Sequence, residues 1–343
     1  MRKVLFVCDV RDATFGIAAR GIVYREILAK NGWECEFVSC TKYDDMQNLP
    51  DNVKVPYRQQ SEIVALAEKS FIVYFIKITD EDLVWKIHNN TRAILLYDFY
   101  DVFWKRQQYQ YNAILDLMDA FITEGTYLCD FLAHYSKPVF EIKSACVYDA
   151  YHEYKQRNEI VTIGWLGSSS TFRAIQKVEK ALENIGAKYP EVELRVVGAD
   201  GRGAHFEHIK VTYKPVYNHQ EMIEELFKFD IGIFPPPSDE FDYLVRGPHK
   251  GVRYMGVGIP AVFFDYGDCK LFVKDMENAV LYKDEKEFEE RVSLLIEDAA
   301  LRKRMGKAGY ETVYSIYSVE SCACSLLNVL SAMMYLYIPR FHL

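Results

Sequence analysis

What this sequence lacks narrows it first. It has no run of about eighteen uninterrupted apolar residues, so no membrane-spanning helix is expected. Its first stretch, MRKVLFVCDVRD, is interrupted by Asp9 too early for the apolar centre of a secretory signal, which points to a cytoplasmic protein. Eight cysteines occur, none in C-x-x-C spacing and several inside apolar runs, so reduced thiols are expected rather than a disulfide framework. Positive charge is in deficit: 41 Lys and Arg face 49 Asp and Glu, a formal net charge of −8. That balance argues against a general nucleic-acid binder, whose affinity comes from basic patches. Low-complexity tracts and internal repeats are missing. So are H-E-x-x-H, the phosphate loop G-x-x-x-x-G-K-[ST] and the dinucleotide fingerprint G-x-G-x-x-G, and neither a metal site nor a bound cofactor is expected. The missing fingerprint after the first strand also disfavours a nicotinamide-dependent oxidoreductase.

What remains is a chain of 343 residues, half of them apolar, long enough for two domains of roughly 150 to 200 residues. Short apolar runs alternate with helical patterns throughout, the sequence form of an α/β protein with parallel sheets. Six strands are expected at KVLFVCDV, ECEFVSC, FIVYFIK, RAILLYDF, AFITEG and PVFEIKS, and six more at IVTIGWLG, ELRVVGAD, IKVTYKP, DIGIFPP, PAVFFD and AVLYKD. Helices are expected over Ile17 to Asn31, stopping at Gly32, over Phe172 to Ile185 and over Gln220 to Phe229. The tyrosine-rich passage near residues 145–160 reads as the connection between domains. The expected division is 1–155, 156–318 and a closing helix, 319–343, that crosses back towards the first domain. Two doubly wound domains then face one another across a cleft, with ligands outside the carboxyl ends of the strands.

Two loops carry most of the chemical signal. In IGWLGSSSTFRAI, a buried strand ending at Trp165 and Leu166 opens into Gly167, Ser168, Ser169, Ser170 and Thr171 before a helix begins. Unpaired amides at a helix start, the helix dipole and serine hydroxyls suit a phosphate, and Arg173 adds charge; a plain serine N-cap fits the same letters. The second loop lies in DIGIFPPPSDEFDYLVRGPHKGVRYMGVGIPAVFFD, Asp230 to Asp265. There Lys250 and Arg253 stand three apart at the start of a helix that closes at Gly256 and Gly258, so both point to one side. Cations at that end oppose the helix dipole, which suggests either an anionic partner or ordinary surface charge.

These residues resemble a family. K-G-V-R-Y-M-G-V-G-I-P-A-V, Lys250 to Val262, is similar to the K-x-x-E-Y-M-A-x-G-x-P-V-V signature of the retaining family 4 (group 1) GT-B glycosyltransferases. IGWLGSSST, Ile163 to Thr171, resembles the I-G-W-x-G-S-x-x-T opening of their donor domain, and Phe288 to Glu320 resembles their closing helices. The matches keep their order through the second half; the first half agrees only in its strand-helix alternation. The resemblance implies two Rossmann-like domains and transfer of a sugar, with retention, from a nucleoside-diphosphate sugar to a glycan, lipid-linked or other hydroxyl acceptor. It implies a donor diphosphate held by Gly167, Ser168, Ser169, Ser170, Thr171, Arg173, Lys250 and Arg253, with Lys250 also catalytic. Lys214, Pro215 and Val216 stand where the family's loop borders the base.

The sequence also departs from the pattern. Arg253 occupies the place of a glutamate whose carboxylate accepts the donor's ribose hydroxyls, and an arginine cannot accept a hydrogen bond. A second acidic position falls on Val245, with Asp239, Glu240 and Asp242 nearby. This motivates a second reading, a catalytically silent protein that binds a sugar nucleotide or a partner.

In the first half, LLYDFYDVFW puts Asp98 and Asp101 at a strand end as candidate catalytic residues, where a carboxylate could orient an acceptor hydroxyl or stabilise an oxocarbenium-like centre; capping the next helix is the other reading. The loop Arg11 to Gly21, with Phe15 and Gly16, stands where the family admits acceptor. Ser325, Asn328 and Ser331 recur at three-residue steps in the apolar tail, as in a packed helix with one polar stripe. That tail leaves open contact with the inner membrane surface or a second copy of the chain.

Overall fold

The computed structural model describes residues 2–9, 19–42, 55–100, 108–146, 160–236 and 247–337, with the side chains of 108–111 and 219 excepted. Phe15, Gly16, Asp101, Asp239, Glu240, Asp242 and Val245 lie outside the described residues. The chain divides into two compact units, 1–147 with 316–343, and 148–315.

The first unit is built on strands β1 (Lys3–Cys8), β2 (Glu34–Ser39), β3 (Ile72–Ile76), β4 (Ile94–Asp98), β5 (Ala120–Thr123) and β6 (Val139–Glu141). They form one parallel sheet in the order β2-β1-β3-β4-β5-β6. Runs such as KVLFVC and IVYFI are buried at every position, as strands covered on both faces must be. Phe6 stacks on Phe37 across the β1–β2 pair with centroids 4.3 Å apart. The helix expected over Ile17 to Asn31 is, in its described part, helical at Ala19 and Arg20, turns at Gly21, and continues as a 3₁₀ turn at Ile22–Tyr24 followed by Arg25–Lys30. It ends at Gly32, whose φ of 81° favours glycine. The closing helix, Val319–Tyr337, buries Cys322, Ala323, Leu326, Val329, Leu330 and Met333 in the core that also holds Val4, Phe6, Tyr74 and Ile76. These positions follow the three- and four-residue spacing of an amphipathic helix. By length and composition alone the stretch Ala299–Tyr337 would also pass for a membrane span.

The second unit carries β7 (Thr162–Leu166), β8 (Glu193–Val197), β9 (Lys210–Lys214), β10 (Ile231–Phe234), β11 (Ala261–Phe264) and β12 (Val280–Tyr282). Its parallel order is β12-β11-β10-β7-β8-β9. Each sheet therefore has a point where chain order reverses, between β1 and β3 in the first and between β7 and β10 in the second. Loops leaving the strands on either side of such a point diverge and leave room for a ligand.

The helix expected over Phe172 to Ile185 is two pieces, a 3₁₀ segment at Ser169–Lys177 and an α-helix at Glu179–Lys188, broken at Val178. Spacing explains the difference. Phe172, Ile175 and Val178 are buried at steps of three, the period of a 3₁₀ helix, and the Val178 amide bonds the Ile175 carbonyl at 3.0 Å. Arg302, buried in the helix Ala299–Tyr317, donates to the carbonyls of Leu295 and Ile296 and so closes the helix Glu285–Glu297. All eight cysteines are unbridged.

Candidate active site at the β7–β10 switch point

The site begins where β7 runs out. Trp165 is fully buried, and a Cβ on Gly167 would come 2.2 Å from its ring, so the chain can turn over the indole only without a side chain. The Gly167 amide bonds the Val197 carbonyl at 2.9 Å, and its own carbonyl accepts the Tyr217 hydroxyl at 3.3 Å. Gly198, at φ 91°, passes so close that a Cβ there would sit 2.0 Å from the Gly167 oxygen. Ser168, Ser169 and Ser170 are exposed at the start of the 3₁₀ segment. Ser168 and Ser170 share a hydroxyl hydrogen bond of 2.9 Å. The Thr171 hydroxyl donates to the Ser168 carbonyl at 3.0 Å and accepts from the Ser168 amide at 3.2 Å.

Lys250 arrives from the other side of the switch point, on the helix His249–Gly256 that follows β10. Its ammonium donates to Thr171 Oγ1 at 2.8 Å and lies 4.7 Å from the centre of the Trp165 ring. A Cβ on Gly167 would also fall 2.8 Å from that nitrogen, so the glycine leaves the room in which the ammonium sits. Two segments 79 residues apart thus meet on one cation.

The helix is held in this register by Tyr254, one turn beyond Lys250. Its buried hydroxyl accepts the Leu166 amide at 2.9 Å and donates to the Ile233 carbonyl at 3.3 Å, tying β7 to β10. Burial pushes this phenol well above its ordinary range. Close approach requires two glycines: a Cβ at Gly232 would come 2.4 Å from the Tyr254 ring, and one at Gly251 2.0 Å from the Phe263 ring. Tyr254 was not singled out by sequence reasoning. Its signal was its place one turn after Lys250, within the stretch that resembles the family signature.

Arg253 is half-buried, with Nη1 3.8 Å from the sulfur of Met222. Burial raises the Tyr217 phenol, and the Arg253 charge works against that rise, which puts the guanidinium in the same neighbourhood as the ring over Gly167. Lys214 ends β9 in an ion pair with Glu221 at 2.8 Å, and Pro215 and Val216 follow it exposed to solvent. Arg173 is exposed on the 3₁₀ segment. Among the described residues no group of three or more His, Cys, Asp or Glu is placed to hold a metal ion.

Asp98 requires a correction. It stands at the carboxyl end of β4, but it is wholly enclosed instead of facing an acceptor. Its Oδ2 accepts Arg20 Nε at 2.9 Å and the Tyr74 hydroxyl at 2.7 Å, and its Oδ1 accepts Arg20 Nη2 at 2.7 Å. Burial pushes the Asp98 carboxyl up, with Arg20 and Tyr74 opposing that rise. Arg20 also donates to the Ile142 carbonyl and lies 3.5 Å from Glu124, which itself accepts the Ser144 amide and hydroxyl. The cluster fastens the end of β4 to the segments that follow β5 and β6, and Asp98 is its central acceptor.

With this geometry in place, likeness to known proteins becomes informative. Residues 173–328, most of them in the second unit, match the family described as glycosyl transferase-like. No curated protein sequence matches the chain. Among solved structures, a glycosyltransferase from Rickettsia africae superposes with TM-score 0.73 at 13% identity, over 97% of this chain and 98% of that one. HepE from Anabaena, solved with UDP, gives 0.71 at 12% identity over 96% and 100%. An alpha-glucosyltransferase solved with UDP gives 0.75 at 12% identity over 96% and 100%. The fold is therefore that of the GT-B glycosyltransferases, two α/β units each on a six-stranded parallel sheet. The stretch 173–328 that matches the glycosyl transferase-like family model includes Lys250, Arg253 and Tyr254.

Proposed function

We propose that the protein is a retaining glycosyltransferase that moves a sugar from a nucleoside-diphosphate donor to a hydroxyl acceptor without a metal ion. The observation that carries this reading is the Lys250 ammonium, set at 2.8 Å from Thr171 Oγ1 beside three exposed serines at the β7–β10 switch point. As a glycosidic bond to a diphosphate breaks, negative charge grows on the departing oxygens. A cation and hydrogen-bond donors already in position lower that barrier without having to reorganise. Lys250 supplies the cation, and the Ser168, Ser169 and Ser170 hydroxyls with the amides of the 3₁₀ start supply donors. The Trp165 ring holds the ammonium from behind. Gly198 and the Lys214–Val216 loop, at the ends of the neighbouring strands β8 and β9, offer a border for the nucleoside. Departing phosphate deprotonates the acceptor, and no protein nucleophile is assigned.

Two of the structural neighbours were solved with UDP, which makes uridine the first base to try. The test is incubation with UDP-, GDP-, ADP- and TDP-sugars and acceptor mixtures, followed by measurement of free nucleotide. Release that depends on Lys250 supports transfer. Tight nucleotide binding with no release under any condition supports the second reading, a silent binding protein. Arg253 favours that alternative, since its guanidinium lies against Met222 and has no acceptor to offer a ribose hydroxyl.

A further inference from the structure

The hydroxyl to which Lys250 donates is already full. A threonine hydroxyl has one proton and two lone pairs. At Thr171 the lone pairs face two donors, the Lys250 ammonium at 2.8 Å and the Ser168 amide at 3.2 Å. Its proton goes to the Ser168 carbonyl at 3.0 Å, and the Ser168 hydroxyl stands at 3.4 Å. A phosphate oxygen accepts hydrogen bonds and offers none, so it would compete for a proton already placed. The peptide that orients this hydroxyl is itself pinned from both sides. Its N–H, on Ser168, points at Thr171, and its carbonyl, on Gly167, accepts the Tyr217 hydroxyl at 3.3 Å. Capping the 3₁₀ segment needs only the Ser168 amide. The contact with Lys250, 79 residues away, is an addition that capping does not explain.

We propose that Thr171 is a positioning residue for Lys250 and not a ligand of the diphosphate. This deepens the donor-site reading above and rests on it. A lysine charge sits at the end of a flexible stem, and it lowers a barrier most when it is fixed before the reaction begins. Thr171 and the Trp165 ring, whose centre is 4.7 Å from the ammonium, fix it from two directions. Of the residues that the resemblance assigns to the diphosphate, Thr171 therefore acts through Lys250 and leaves direct contact to its neighbours.

The test labels the full chain with 5-fluorotryptophan and records fluorine spectra without ligand. Of the four tryptophans, the one whose signal Lys250→Met moves is Trp165. Thr171→Val should move that signal towards its Lys250→Met position, and Thr171→Ser, which restores the hydroxyl, should leave it in place. The other signals, unchanged, show that the fold is intact. Affinity for UDP, GDP, ADP and TDP is then measured by calorimetry in wild type, Thr171→Val, Lys250→Met and the double variant. Positioning predicts a loss of about tenfold for Thr171→Val alone and less than about twofold when Lys250 is already methionine. An equal loss in both backgrounds makes Thr171 a ligand or a purely structural residue and overturns the proposal, as does a Trp165 signal that Thr171→Val leaves in place. A wild type that binds none of the four nucleotides, with the fluorine signals moving as predicted, removes the donor reading while the positioning contact stands.

Discussion

Replacing Asp98 with asparagine removes a charge from a place that water does not reach. The Arg20 and Asp98 side chains are 1% and 0% exposed, and three hydrogen bonds of 2.7–2.9 Å converge on the carboxylate. Without that carboxylate, the guanidinium keeps the Ile142 carbonyl and Glu124 at 3.5 Å, a poor substitute for a bidentate partner. Breaking a buried ion pair on one side costs about 3–5 kcal/mol. Asparagine still offers one carbonyl acceptor, so Asp98→Asn belongs near the lower end, about 3 kcal/mol, and Asp98→Ala near the upper. With a urea m-value of about 2–3 kcal/mol/M, the asparagine variant shifts the first unit's midpoint down by about 1–1.5 M. Trp33 and Trp85 report on that unit by fluorescence, and nucleotide affinity, a property assigned to the second unit, should not change. A variant within about 0.5 kcal/mol of wild type that nonetheless loses sugar transfer refutes the structural role and makes Asp98 a catalytic residue.

Further outcomes follow from the packing around Lys250. Tyr254→Phe leaves the buried Leu166 amide without its acceptor and should cost about 1–3 kcal/mol by denaturant unfolding, with a loss of nucleotide affinity as the helix loosens. Gly232→Ala forces a methyl to 2.4 Å from the Tyr254 ring and should destabilise the second unit by about 1–3 kcal/mol or more. Burial alone would raise the Glu225 carboxyl, but Arg195 and Lys228 outweigh it and hold it below the ordinary range. Its contribution to stability is therefore full above the unfolded carboxylate's pKa and is lost as pH falls through the lower, folded value. Glu225→Gln should flatten the acid side of the melting-temperature profile, and an unchanged profile contradicts this.

The two sheets were legible because parallel strands buried on both faces read as unbroken apolar runs, as in KVLFVC, IVYFI and TIGWL. The 3₁₀ segment was not. Nine residues, Ser169–Lys177, are too few to separate a period of 3.0 from one of 3.6, and Leu182 and Ile185 continue the pattern on the next helix. Asp98 shows another limit. A carboxylate at a strand end has the same letters whether it faces a ligand or an arginine 78 residues earlier, and only the folded chain brings Arg20 to it. Thr171 and Lys250 stand out separately in the sequence for their loop chemistry. Their contact depends on β10 pairing with β7, through Ile231 with Ile163 and Gly232 with Gly164. Tyr254 passes as one more core aromatic until its hydroxyl is seen between two strands.

The central claim is that the serine corner and Lys250 grip one diphosphate. Calorimetric titration of wild type and Lys250→Glu with UDP, GDP, ADP and TDP tests it most directly. A charge-assisted hydrogen bond contributes about 1.5–3 kcal/mol, so its loss alone weakens binding about 10- to 150-fold, and the reversed charge adds repulsion. The account predicts that wild type binds at least one of these nucleotides and that Lys250→Glu loses at least two orders of magnitude in affinity for it. Equal affinity in the two proteins, or no binding of any diphosphate by wild type, contradicts it.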